Sequence, residues 1–96
     1  MTWSDALWRR RLEVVSALLA GIEQRGDVVD AVAAARTPAD AQARVAQLLR
    51  IDDHAAEAVL NARLGGLTRT DAAALERERR DLHDRLAPIH RKEPTS

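Results

Sequence analysis

Two stretches of this 96-residue chain, one near each end, repeat apolar side chains at heptad-like intervals, and that spacing constrains the fold more than any other feature. Trp8, Leu12, Val15, Leu19 and Ile22 follow one another at steps of four, three, four and three, with Leu7 and Leu18 beside them. Leu75, Leu82, Leu86 and Ile89 follow at steps of seven, four and three. Such a recurrence keeps one face of a helix turned toward a partner helix, whereas a strand repeats every second residue. The two stretches are expected to form long helices that pair antiparallel.

Composition points the same way. Hydrophobic residues make up 46% of the chain, and alanine, leucine and valine supply nearly all of them. Trp3 and Trp8 are the only aromatic residues, so the palette suits helices and not strands. Alanine faces let helices approach closely but bury little area each, and a second chain would help a protein of this size reach an ordinary stability margin.

Between the arms the sequence punctuates three shorter helices. The first long helix is expected over 4–24, with Ser4 as N-cap, Trp3 over its open end and Gly26 as its stop. Asp27 would cap a second helix, Val28 to Arg36. Thr37-Pro38-Ala39-Asp40 reads as a cap, a first-turn proline and a capping-box carboxylate for a third, which turns Ala41, Val45, Leu48 and Leu49 to the core. Asp52 or Asp53 would start a fourth, with Ala55, Ala56, Val59, Leu60 and Leu64 apolar and Gly65-Gly66 as its end. Thr68 and Asp71 would box the last helix, and Pro88 would end or kink it before a polar tail, His90 to Ser96. The expected fold is all-α, one domain over 1–96: an antiparallel two-helix coiled-coil arm (4–24 and 69–89) bearing a small helical knob (27–67) at its far end, in long-short-short-short-long order.

Charge and residue usage narrow the function classes. Fifteen basic and fifteen acidic residues cancel, which leaves no cationic surplus for general nucleic-acid binding. The chain has no cysteine, so disulfides, thiolate metal sites and cysteine nucleophiles are excluded. No apolar run approaches the roughly 20 residues of a membrane span, and the amino terminus lacks a basic segment followed by an apolar one. A cytoplasmic protein with no membrane partner is expected.

Several clusters carry a chemical reading beside a plainer one. Arg9, Arg10 and Arg11 follow Trp8 and could meet phosphate, as in a small DNA-associated helical protein. Consecutive residues fan around a helix, however, so a solvated and partly ion-paired face is the simpler reading. His54 precedes Glu57 by three residues, and His83 precedes His90 by seven, without the paired inward motifs of a bundle metal site. No metal or cofactor is expected. Glu76 with Arg80, and Asp81 with Arg85, have the i,i+4 order of a solvated ion-paired face.

The stretch from Leu48 to Thr68, read with Asp30-Ala31-Val32-Ala33-Ala34-Ala35-Arg36-Thr37-Pro38 upstream, resembles the A subunits of type IIA DNA topoisomerases, gyrase and topoisomerase IV, near their exit gate. That family's pattern is a leucine-rich helix, a capped Gln-Ala-x-Ala-Ile-Leu segment, then Asp-Met-Arg-Leu and Leu-Thr. Here Ala56, Ala58, Val59, Leu60, Arg63, Leu64, Leu67 and Thr68 occupy those places. The similarity spans about Leu12 to Ile89. Asn61 stands where the family has Asp, and Gly65-Gly66 replace a bulkier pair. The family cuts DNA with a tyrosine on a winged-helix domain; this chain contains no tyrosine. The resemblance therefore implies a non-catalytic dimerisation module: a homodimer through Val59, Leu60, Arg63, Leu64 and Leu67, or pairing with a full-length topoisomerase A subunit, with DNA binding weak or indirect. The enzyme reading, a small arginine-rich bundle like the chorismate mutases using Arg11, Arg25 and Arg36, lacks the buried polar cluster such a site needs.

Overall fold

The computed structural model of the chain describes residues 3–62 and 67–86. Within them the chain is all-α: α1 (Trp3–Glu23), α2 (Arg25–Ala34), α3 (Pro38–Leu49), α4 (Asp53–Asn61) and α5 (Arg69–Leu86), with no strand among the described residues. Arg63, Leu64, Gly65, Gly66, Pro88, Ile89 and the tail from His90 lie outside the described residues, as does the side chain of Trp3.

Three of the helix starts follow from short polar side chains that occupy otherwise unpaired N–H groups. Thr37 is extended, and its Oγ1 accepts the Asp40 N–H at 3.0 Å while Pro38 takes the first turn. Asp40 in turn accepts the Arg36 N–H at 3.1 Å, one residue before the position a capping box would use. Asp52, and not Asp53, caps α4 by accepting the Ala55 N–H at 2.8 Å. At α5 the exchange is fully reciprocal: Thr68 Oγ1 accepts the Asp71 N–H at 3.2 Å, and Asp71 accepts the Thr68 N–H at 2.8 Å.

Two expected boundaries are corrected. Helix α1 is already under way at Trp3, so Ser4 lies inside it and not at its cap. Gly26 does not stop α1. The break falls on Gln24 (φ −110°, ψ 37°), and Gly26 and Asp27 belong to the first turn of α2. The reason is in the backbone bonding: Gln24 N–H donates to Ala20 O at 3.0 Å and Gln24 O accepts the Val28 N–H at 2.9 Å. Gln24 is thus bonded to both helices, and the chain crosses the break without a glycine in the left-handed region. That region is taken instead by Arg50 after α3, at φ 57°, where the Ile51 N–H closes onto Ala46 O at 3.0 Å. This Schellman-type closure turns the chain sharply from α3 into α4.

Helix α1 is the centre of the packing because it buries two opposed faces. Val15 and Leu19 turn toward α5 and meet Leu82, flanked by Trp8, Leu12 and Leu75. Ala17 points to the other side, two residues and roughly 200° away, into a core with Val28, Val45, Leu49, Ala55, Ala56 and Val59. The arm helices run antiparallel, since Arg11 meets Glu78 near one end and Glu23 lies beside Ala72 at the other. Of the knob helices, α4 folds back along the second half of α1, because Ala17 with Ala55 and Ala56 offers small side chains on both surfaces.

Small residues at that crossing set the interhelical distance, so enlarging one must force the helices apart. Ala17→Leu is expected to lower the unfolding free energy by about 1–3 kcal/mol in urea titrations followed by circular dichroism. Gly26→Ala should act in the opposite direction. Gly26 is helical, and a β-carbon built there meets nothing within 4 Å. A gain of about 0.5–1 kcal/mol is expected.

Candidate functional site

Helix α2 leaves much of its apolar surface uncovered. It buries Val28 alone, and its amino-terminal turn has no side-chain cap. On its outer side Val29 is 59% exposed and Val32 40% exposed. Gly26, Val29 and Ala33 recur at steps of three and four, so they share a helix face on which Val32 forms one margin. All four are exposed, and the surface they make is apolar and low. Arg25 stands at the amino-terminal end of this face and Arg36 just past its carboxyl end, and neither guanidinium makes an ion pair among the described residues. Asp27 and Asp30 lie on the same helix but are turned roughly 160° and 100° away from Val29.

A second concave feature, about 440 Å³ in volume, runs beside α1 where the α3–α4 turn leaves it partly open. Leu12, Ala17, Ala20 and Ile51 form apolar walls, and Glu13, Arg50, Asp52 and His83 stand around them. It is a groove between packed helices and not a closed chamber. No group of three or more histidine, aspartate or glutamate side chains among the described residues is arranged to hold a metal ion.

The carboxylates whose acidity is displaced all lie elsewhere. Glu78 is held below its ordinary pKa by hydrogen bonds from Arg11, whose Nε and Nη2 reach its two oxygens at 2.6 and 3.0 Å. Asp40 is lowered by the Arg36 N–H and then by Arg44, and Asp71 by the backbone and hydroxyl of Thr68. Each displacement belongs to a helix cap or to the arm's cross-link.

The residues singled out from the sequence separate clearly. Val59 is not available to a second chain, because it is 1% exposed and sits inside the core with Val45 and Ala56. Leu60 and Leu67 are half-buried and pack on that same core, while Arg63 and Leu64 fall outside the described residues. The expected apolar patch fails at its centre for a physical reason: α4 must turn Val59 inward to cover Ala17 of α1. Of the arginine run, Arg11 is committed to Glu78 and Arg10 stands 3.8 Å from Glu13, so Arg9 alone is exposed without such a neighbour. Arg85 stacks over Trp8 at 5.4 Å from the ring centre and Arg79 pairs with Glu76, in place of the expected i,i+4 partners. Arg11 is on the arm while Arg25 and Arg36 stand at opposite ends of α2, so the three do not converge on one pocket. Sequence reading missed the α2 face, because valines at 28, 29 and 32 fall within about 100° of one another and read as a single core-facing stripe.

Searches against family models, curated proteins and solved structures yield no match to this chain. No helix among the described residues is long and apolar enough to cross a membrane.

The lowered carboxylates fix the sign of the acid response. A group whose pKa is depressed in the folded state stabilises it above the ordinary value and loses that contribution as pH falls through the folded one. Stability is expected to hold from neutral pH to about 5 and then decline below the ordinary values of 4.5 for Glu78 and 3.8 for Asp40 and Asp71. Urea midpoints measured across that range check it. Glu78→Gln should flatten part of the decline, with a small loss at neutral pH because the pair is solvent-exposed.

Proposed function

We propose that this chain is a non-catalytic helical association module, working in the cytoplasm, whose knob is completed by docking against another helical protein. The observation that carries this reading is α2. A ten-residue helix with one buried side chain, no side-chain cap at its amino terminus and an exposed glycine in its first turn gains little from its own chain. Isolated helices of that length are marginal, so a surface that covers Val29 and Val32 supplies what the fold lacks.

The resemblance of residues 48–68 to topoisomerase A subunits supports the same role and supplies a candidate partner, either a second copy or a full-length A subunit. Because Val59 is interior, the docking face moves from α4 to α2. The arginine run gives less support to a nucleic-acid role, since Arg10 and Arg11 are turned to carboxylates of the same chain.

Light scattering of the chain alone, and co-elution with a purified type IIA topoisomerase A subunit, test the reading. A complex is expected in one of these mixtures, lost in a Val29→Asp/Val32→Asp variant that keeps its helical circular dichroism. Val59→Asp is expected to abolish the helical signal itself, since it places a carboxylate in the core without a partner. Monomer alone at micromolar concentration, with no co-elution, would sink the proposal.

A further inference from the structure

Resting on that association reading, the geometry points to the kind of partner α2 accepts: we infer that its outer face docks an amphipathic helix of another protein whose apolar centre is flanked at both ends by carboxylates. Three features of the face lead there. Val29 and Val32 form an apolar middle, and Gly26 and Ala33 keep the surface low enough for a second helix to come close. A β-carbon at position 26 would meet nothing within the chain, so the open space over Gly26 is a feature of the outer surface and not a packing need of the monomer.

The ends of the face decide between partners. Arg25 opens α2 and Arg36 follows its last residue by two, so the ten-residue helix, roughly 15 Å at 1.5 Å per residue, lies between them, and both lack an ion-pair partner among the described residues. A second copy of α2 laid antiparallel brings Arg25 against Arg36 of the other copy, and laid parallel it brings each arginine against itself. Either arrangement sets like charges together at both ends, which disfavours a twofold pair and selects against self-association. A helix with carboxylates at its two ends satisfies both arginines. Asp30, on the flank of the face, discourages a carboxylate in the middle of the partner and favours apolar residues there.

The match is one helix face laid on another and read at i, i+3 and i+4, with the charges setting register and the valines supplying affinity. Docking is expected to stiffen α2. Its backbone amides should exchange with solvent faster than those of α1 in the free chain and slow when the partner is bound.

A synthetic helical peptide with leucines at i, i+3 and i+4 and glutamates one turn before and after them is the probe. A second peptide, identical except for lysines in place of the glutamates, is its control. Binding is read by the change in fluorescence anisotropy of labelled peptide, with hydrogen exchange of α2 as a second readout. The acidic peptide is expected to bind the full chain at least about tenfold more tightly than the basic one, in line with two ion pairs each reversed from attraction to repulsion. Arg25→Glu/Arg36→Glu should invert that preference, and Val29→Asp should remove binding of both peptides without altering the circular dichroism. Equal binding of the two peptides, no binding of either, or binding that ignores these substitutions overturns the inference. A dimer that is lost in Val29→Asp while the acidic peptide fails to bind also overturns it, yet leaves the association reading standing. Absence of any complex through any face removes both.

Discussion

The close contact between α1 and α4 is the constraint on which the rest of the molecule depends. Ala17 on one helix and Ala55 and Ala56 on the other are all buried, and their small size lets the backbones come near enough for Val59, Val45 and Val28 to close around them. With Ala17 turned one way and Val15 and Leu19 the other, α1 is covered on both sides. The two cores are therefore not independent: each leans on a different face of the same helix. A helix used on two faces has no free face left on its second half for a partner, and this pushes any association surface to the periphery.

That geometry explains why α2 is left open. Helices α3 and α4 form a tight pair through the Arg50 closure, with Gln42 Nε2 donating to Asp53 O at 2.7 Å. They fill the space beside α1. Helix α2 bridges from the end of α1 to the start of α3, and it can send only Val28 inward from there. Val29 faces out because the helix period turns it about 100° from Val28, while Val32, about 40° from Val28, is left partly exposed at the margin. The exposed surface is thus a geometric consequence of connectivity, and its arginine ends give it a sign.

Electrostatics in this protein act locally. The lowered carboxylates close helix ends or cross-link the arm, and the Arg85–Trp8 contact covers the arm's open end. Exposed pairs of this kind each contribute modestly, but they hold α1 and α5 in register where the apolar seam thins toward Leu7 and Leu86. Arg11, Arg44 and Arg85 are thus spent inside the chain, whereas Arg25 and Arg36 at the two ends of α2 form no such contact among the described residues.

Much of the fold was written in local chemistry. Thr37, Asp52 and the Thr68–Asp71 pair start their helices through bonds that span three residues, so sequence alone determined them. Part of the α1–α5 packing was legible for the same reason: Trp8, Leu12, Val15 and Leu19 meet Leu75 and Leu82, while Ile22, expected on the same seam, packs on the other core. Tertiary structure alone decided which of several apolar faces is covered. Val59 and Val29 look alike in the sequence, both valines on short helices. One is interior and the other exposed because of where α1 presents its alanine. A helix records which residues share a face, but not which neighbour will lie against it, and that choice is made by side-chain volumes far apart in the chain.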